Sequence, residues 1–295
     1  MFGTLLDPAM FTEPYMQNAL VTGAVVAVLA GLVGFFVVLR GVSFAAHSLA
    51  QIGFAGAAGA VLIGVDPLFG LVLFAVGGGV GMGVLGAHDH DRDVTTALIL
   101  VASLGIGALF LTLNTSYATA AFSLLFGTIV GISRAQVGET LVLALICLAG
   151  LCLLYRPLLL ASVNTELAAA RGAPVRLLNV LFLVVVGLAA AVTVPVAGTL
   201  LIFSLMVGPA ASAVRLTSRP GVALFLSVVI GVGATWLGIT LAYDSGWPVG
   251  FFITAIVTVC YVATRFLRPR RGRSVVAQIS WIDDSRTVKR DGVQL

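Results

Sequence analysis

Lysine is almost missing from this chain: of 295 residues, only Lys289 is one. A phosphate-binding loop of the GxxxxGK[ST] kind needs a lysine to reach the nucleotide phosphates. With none in the first 288 residues, the hydrophobic part of the chain holds no ATPase of that type. Charge of either sign is scarce, at 9% of residues against 60% hydrophobic ones, and the mean hydropathy is +1.13. That composition cannot clothe a soluble domain. Cysteine is thin too: Cys147, Cys152 and Cys260 sit in apolar runs without paired metal-ligand spacing, so they read as small hydrophobes and not as disulfide or zinc residues. No basic residue precedes the first apolar run, in MFGTLLDPAMFTEPYMQNAL, so the charged start of a cleavable signal is lacking and a retained first span is expected. None of the twelve acidic residues lies mid-span, Glu139 standing only near the start of one. An ion-coupled secondary transporter or channel, which uses buried carboxylates, is thereby disfavoured. A membrane enzyme fails for want of a catalytic constellation.

What the chain does have is a series of apolar stretches of about 20 residues, each enough to cross a hydrocarbon core of roughly 30 Å. They recur from Ala19 to Leu267 as continuous blocks and not as short alternating strands, which predicts helices and excludes a barrel. The fold class is an all-α polytopic membrane protein. Spans are expected near residues 19–39, 44–64, 67–86, 94–113, 137–155, 175–194, 196–214, 221–242 and 248–267. The sixth and seventh run together around Val194-Pro195-Val196, so the count is nine, or eight if they fuse. Residues 8–18 read as a short interfacial helix with Phe11 and Tyr15 at headgroup level. Between the fourth and fifth spans, Ser116 to Arg134 is apolar but too short to cross comfortably and reads as a half-inserted or surface-lying helix. The chain thus divides into a membrane domain, 1–267, and a basic tail, 268–295, suited to contact anionic lipid headgroups.

Charge sets an orientation. Arg40, Arg92, Arg156, Arg171, Arg176, Arg215, Arg219 and the cluster from Arg265 to Arg273 fall on one side of a nine-span arrangement, and only Arg134 disobeys. That side is expected to be the cytoplasm, with the N-terminus outside and the C-terminus inside. The net charge of +4 therefore speaks of topology and membrane surface, with no need of nucleic acid. Of the 34 glycines many lie within spans, where small residues let helices approach closely. Gly77 and Gly81 form a GxxxG pair, but in so glycine-rich a chain internal packing is the better reading.

Four stretches could carry chemistry. In Ser43-Phe44-Ala45-Ala46-His47-Ser48-Leu49-Ala50-Gln51, a histidine stands inside an apolar run, where an imidazole is costly unless it lines a cavity or finds a partner. Helical spacing puts His47 and Gln51 on one face, where a nitrogen and an amide oxygen could meet the same ion or water, or simply pack between helices. By rise per residue, a straight helix would set His47 near the cytoplasmic end of its span. The loop His88-Asp89-His90-Asp91-Arg92-Asp93 has metal-ligand composition, with His88, His90 and Asp91 as candidates, against the plainer reading of a solvated loop. The segment from Val163 to Pro174 has the grammar of a short capped helix: Asn164 or Thr165 to cap, Glu166 at the positive end, Arg171 in the last turn, Gly172 and Pro174 to stop it. It is either an ordinary inter-span helix or a docking element for another protein. In the seventh span, Gly208-Pro209 predicts a kink, for gating or for geometry.

Several stretches together resemble the membrane-spanning permease subunits of the manganese/zinc family of ABC importers. They are Pro14-Tyr15-Met16-Gln17-Asn18-Ala19-Leu20, Leu39-Arg40 before Ser43-Phe44, Ser123-Leu124-Leu125-Phe126-Gly127 with Gly131, Glu166-Leu167-Ala168 with Gly172, Gly198 with Leu200-Leu201, and Pro209-Ala210-Ala211-Ser212-Ala213. The resemblance runs from about Pro14 to Val262.

It implies a homodimeric or paired permease in the plasma membrane, two cytoplasmic ATPase subunits below, and an extracytoplasmic metal-binding protein delivering Mn(II), Zn(II) or Fe(II) from above. The chain itself would be no enzyme and would hold no permanent cofactor, the divalent ion being its transient cargo. Asn164, Thr165, Glu166, Ala168, Arg171 and Gly172 would form the coupling helix in the ATPase groove, and Ser43, His47, Ser48 and Gln51 would line the path. The chain departs from the family there. Members commonly offer an aspartate and a histidine four residues apart, whereas here His47 stands at the aspartate position and Gln51 at the histidine position. Either weak transient coordination survives on these ligands, or selectivity rests with the binding protein. A siderophore or cobalamin permease, of similar general architecture, is the alternative.

Overall fold

The computed structural model describes residues 13–86, 92–113 and 127–267. Nine long helices are present among them: α1 (Pro14–Leu39), α2 (Ser43–Leu62), α3 (Pro67–Leu85), α4 (Arg92–Thr112), α5 (Arg134–Val163), α7 (Val175–Ala197), α8 (Thr199–Leu216), α9 (Pro220–Ser245) and α10 (Val249–Leu267). A short helix, α6 (Thr165–Ala170), lies between α5 and α7. Eight are long and apolar enough to cross a bilayer; α8, at 18 residues, is the shorter ninth. The residues expected to form an interfacial helix are, from Pro14 on, simply the first turns of α1, because Pro14 pre-sets the first helical φ and nothing then interrupts the run. The His88 to Asp91 loop, the tail and most of the segment after Asn114 lie outside the described residues.

The core is built by backbones meeting at glycine. A Cβ on Gly56 would stand 2.2 Å from Gly70 O, and one on Gly70 an equal 2.2 Å from Gly56 O, so α2 and α3 touch main chain to main chain. A Cβ on Gly34 of α1 would lie 1.9 Å from Met206 O of α8. Further along α3, Gly79 and Gly83 pack against Leu183 and Val180 of α7, while Gly77 faces open space. With no hydrophobic drive between helices in lipid, such contact surfaces and hydrogen bonds from side chains to neighbouring helices hold the bundle. Ser227 of α9 donates to Gly31 O at 2.9 Å, and Trp236 Nε1 donates to Leu20 O at 3.2 Å. The helices α1, α2 and α7 are largely enclosed, whereas α4 and α10 turn most of their residues outward.

The junction of α7 and α8 is a true break, displaced from where the sequence suggests it. The helix runs through Pro195 to Ala197 and ends at Gly198, whose φ of 82° only glycine adopts without strain. A single turn of 3₁₀-helix, Ile129–Gly131, packs there: the Thr128 backbone N–H donates to Pro195 O at 3.2 Å. Gly127, at φ 74°, abuts the backbone of Val196 to Gly198. Asn18 of α1 pins the far side by donating to Ile132 O at 3.2 Å, and Ser133 with Gln136 then caps α5 as a reciprocal box.

Candidate functional site

The α1–α2 turn is tight. Gly41, at φ 68°, reverses the chain, and Val42 N–H returns to Val37 O at 3.0 Å. The helix α2 therefore starts at Ser43, and His47 and Gln51 sit on one of its faces, both half-buried. The ring of His47 meets Phe203 of α8 edge-on, with centroids 5.4 Å apart. Phe203 lies twelve residues before Arg215, about 18 Å along α8 at 1.5 Å per residue. His47 is thus level with the first turns of α8, about three turns from Arg215, while along its own chain it follows Arg40 by seven residues. Its Nδ1 is buried and has no hydrogen-bond partner among the described residues, a condition shared by the hydroxyls of Thr22 and Thr199. An orphan imidazole nitrogen retains its capacity to accept a proton donor or ligate a cation.

Ser43 opens α2 and is half-buried. Ser48 is fully buried and its hydroxyl donates to Phe44 O at 2.9 Å, which commits it to its own helix. Among the described residues, no three His, Cys, Asp or Glu side chains converge on one point. The described ligand set around α2 is therefore one imidazole, one amide and hydroxyls. Phe203 is the member of this site that the sequence reading missed.

The second element is α6. Asn164 accepts from Leu167 N–H at 2.7 Å through Oδ1, Glu166 occupies the first turn, and the Arg171 N–H returns to Leu167 O at 3.1 Å. Gly172 then leaves the helix at φ 78°. Ala168 is buried with Ala161 and Leu178, fixing α6 onto α5 and α7, while Thr165, Glu166 and Arg171 remain exposed. A short capped helix results, whose exposed residues mix Thr165, Glu166 and Arg171 with Leu167, Ala169 and Ala170. In α8 the helix is unbroken through Gly208 and Pro209. Gly208 serves close contact, since a Cβ there would fall 2.1 Å from Val257 Cγ1 of α10.

Arg40 links these two elements. Its guanidinium donates to Ser162 Oγ of α5 at 3.2 Å and to Asn179 Oδ1 of α7, and lies over Phe182 at 5.4 Å. Burial, and then the facing charge of Arg92, lower its pKa to about 10, so it stays cationic at neutral pH. A small cleft beside it is lined by Arg40, Ala45, Met82, Arg92, Thr96 and Asn179. The ends of α1, α3 and α5 and the starts of α2, α4 and α7 accordingly share one end of the bundle, as the arginine pattern predicts.

The model of the ABC 3 transport family matches residues 12–268. The chain belongs to this family. It is 26% identical over 270 residues to the manganese transport system membrane protein MntC of Halalkalibacterium halodurans, covering 91% of this chain and 92% of that protein. It is 27% identical over 261 residues to the manganese import system permease protein ScaB of Streptococcus parasanguinis, covering 88% and 93%. Among solved structures, PsaBC from Streptococcus pneumoniae in complex with Fab matches with a TM-score of 0.79 at 25% identity, covering 89% of this chain and 95% of that one. The resemblance drawn from the motifs therefore holds across the hydrophobic part of this ABC 3 family member, and its all-α, multi-pass architecture is that of the permeases.

Proposed function

We propose that the protein is the membrane-spanning subunit of a binding-protein-dependent importer of divalent metal ions, with manganese as the first candidate cargo and zinc or iron(II) next. The observation that carries this reading is near full-length similarity to two permeases named for manganese. ATP would be hydrolysed on separate cytoplasmic subunits, consistent with the lack of a lysine for a phosphate-binding loop. A metal-binding protein would deliver the ion from outside, and the permease would act as a homodimer in the plasma membrane with its N-terminus outside.

The exposed face of α6, with Glu166 and Arg171, suits a groove on the ATPase. Its packing onto α5 and α7 through Ala168 lets a movement there reach the bundle. The face of α2 carrying His47 and Gln51, with Phe203 opposite, would line the path. A set without a carboxylate binds a divalent ion weakly and lets it leave, so selectivity belongs chiefly to the delivering protein.

Metal-dependent growth tests the reading. A strain lacking the protein should fail on limiting manganese and be rescued by the wild-type chain, and free manganese should compete with uptake. Competition by a siderophore or cobalamin, with no effect of free manganese or zinc, would replace the metal-ion reading with that of a chelate permease.

A further inference from the structure

We infer that Arg40 is the residue that couples the short cytoplasm-facing helix α6 to the His47-bearing helix α2, acting as a clasp across the two arms that hold α6. The inference rests on the importer reading above and deepens it. Its basis is a juxtaposition of three elements. The helix α6 is carried between Ser162 at the end of α5 and Asn179 near the start of α7. Arg40 donates to both, one nitrogen to each. The guanidinium also lies over the ring of Phe182, 5.4 Å from its centroid. Three residues later α2 begins, and four after that stands His47.

The chemistry suits transmission better than static support. No carboxylate pairs with Arg40 among the described residues; both acceptors are neutral, and Arg92 opposes it. With no ion pair among the described residues to hold it elsewhere, the guanidinium is committed to the two arms together, through one acceptor on each. The turn it sits on is short and hydrogen-bonded, with Arg40 N–H returning to Phe36 O at 2.9 Å and Val42 N–H to Val37 O at 3.0 Å. Displacement of α5 and α7 by the ATPase therefore passes through the guanidinium into α2. Lysine is a poorer fit, because its three N–H donors radiate from one nitrogen and lack the planar fork that lets Nη1 and Nη2 reach the two acceptors separately while the group lies over Phe182.

The test uses the complete complex, permease with its ATPase, in liposomes, with manganese uptake and ATP hydrolysis read in the same vesicles and thermal unfolding as a control. Arg40→Lys, Ser162→Ala and Asn179→Leu should raise the ATP hydrolysed per ion transported about fivefold or more, with unfolding temperatures near the wild type. Asn179→Asp, which keeps an acceptor for Arg40, should retain the wild-type ratio. If Arg40→Lys fails to assemble, the acceptor variants decide. A wild-type ratio in Ser162→Ala and Asn179→Leu, or the same loss in Asn179→Asp as in Asn179→Leu, would overturn the clasp while leaving the importer intact. Wild-type vesicles that take up no manganese on ATP would overturn both.

Discussion

The imidazole of His47 and the ring of Phe203 meet edge to face, their planes at 77°, and so join α2 to α8 across 156 residues of sequence. The contact leaves Nδ1 of His47 buried without a partner and Phe203 40% exposed. An aromatic that is open on one side of an unsatisfied imidazole suits a path wall more than a sealed core. His47→Ala should lower manganese uptake about tenfold, equivalent to about 1.4 kcal/mol, in complexes that still assemble. Uptake at the wild-type rate would reduce His47 to a packing residue.

Replacing Gly172 should uncouple the ATPase without unfolding the bundle. At φ 78° a β-branched side chain is strained by roughly 1–2 kcal/mol, and the end of α6 would move. Gly172→Val and Glu166→Lys are both expected to abolish stimulation of hydrolysis by the metal-loaded binding protein. Normal stimulation in both variants would count heavily against α6 as the coupling helix.

The cap of α6 can be tested locally. Asn164→Ala removes the acceptor of Leu167 N–H and should cost about 1 kcal/mol. Because only α6 depends on that bond, hydrogen exchange of its amides should quicken while those of α5 stay protected.

The two kinds of glycine in the bundle should separate cleanly by thermal unfolding in detergent. Gly34→Ala has to displace the Met206 carbonyl, 1.9 Å from the new Cβ, and should lose at least 2 kcal/mol, roughly the scale of an overpacked core. Gly77→Ala meets nothing within 4 Å and should be neutral or slightly stabilising, by up to about 1 kcal/mol, through helix propensity.

Much of this architecture was legible because hydropathy is a strong signal in lipid. Every expected span has its helix, and the Asn164-to-Gly172 grammar produced the capped helix it describes. The α7–α8 boundary was misjudged by three residues: a proline removes one hydrogen bond and can be carried inside a helix, as Pro195 is, whereas a glycine at positive φ ends it. Among the α3 glycines, Gly77 with Gly81 and Gly79 with Gly83 share one spacing, so periodicity could not say which pair faces a neighbour. At the site, His47 and Gln51 were visible as polar residues in an apolar run. Phe203 was not, since one phenylalanine among 17 carries no mark. Arg40 was visible as a rim charge, but Ser162 and Asn179 lie more than 120 residues away, and nothing local points to them.

The most direct test of the central claim is manganese uptake into liposomes holding this chain and its ATPase, with nucleotide on the ATPase side and the metal-loaded binding protein on the other. Uptake should require ATP and both partners, and should be unaffected by collapsing a proton gradient. Uptake that proceeds without ATP and follows the proton gradient would contradict the account and assign the chain to ion-coupled transport.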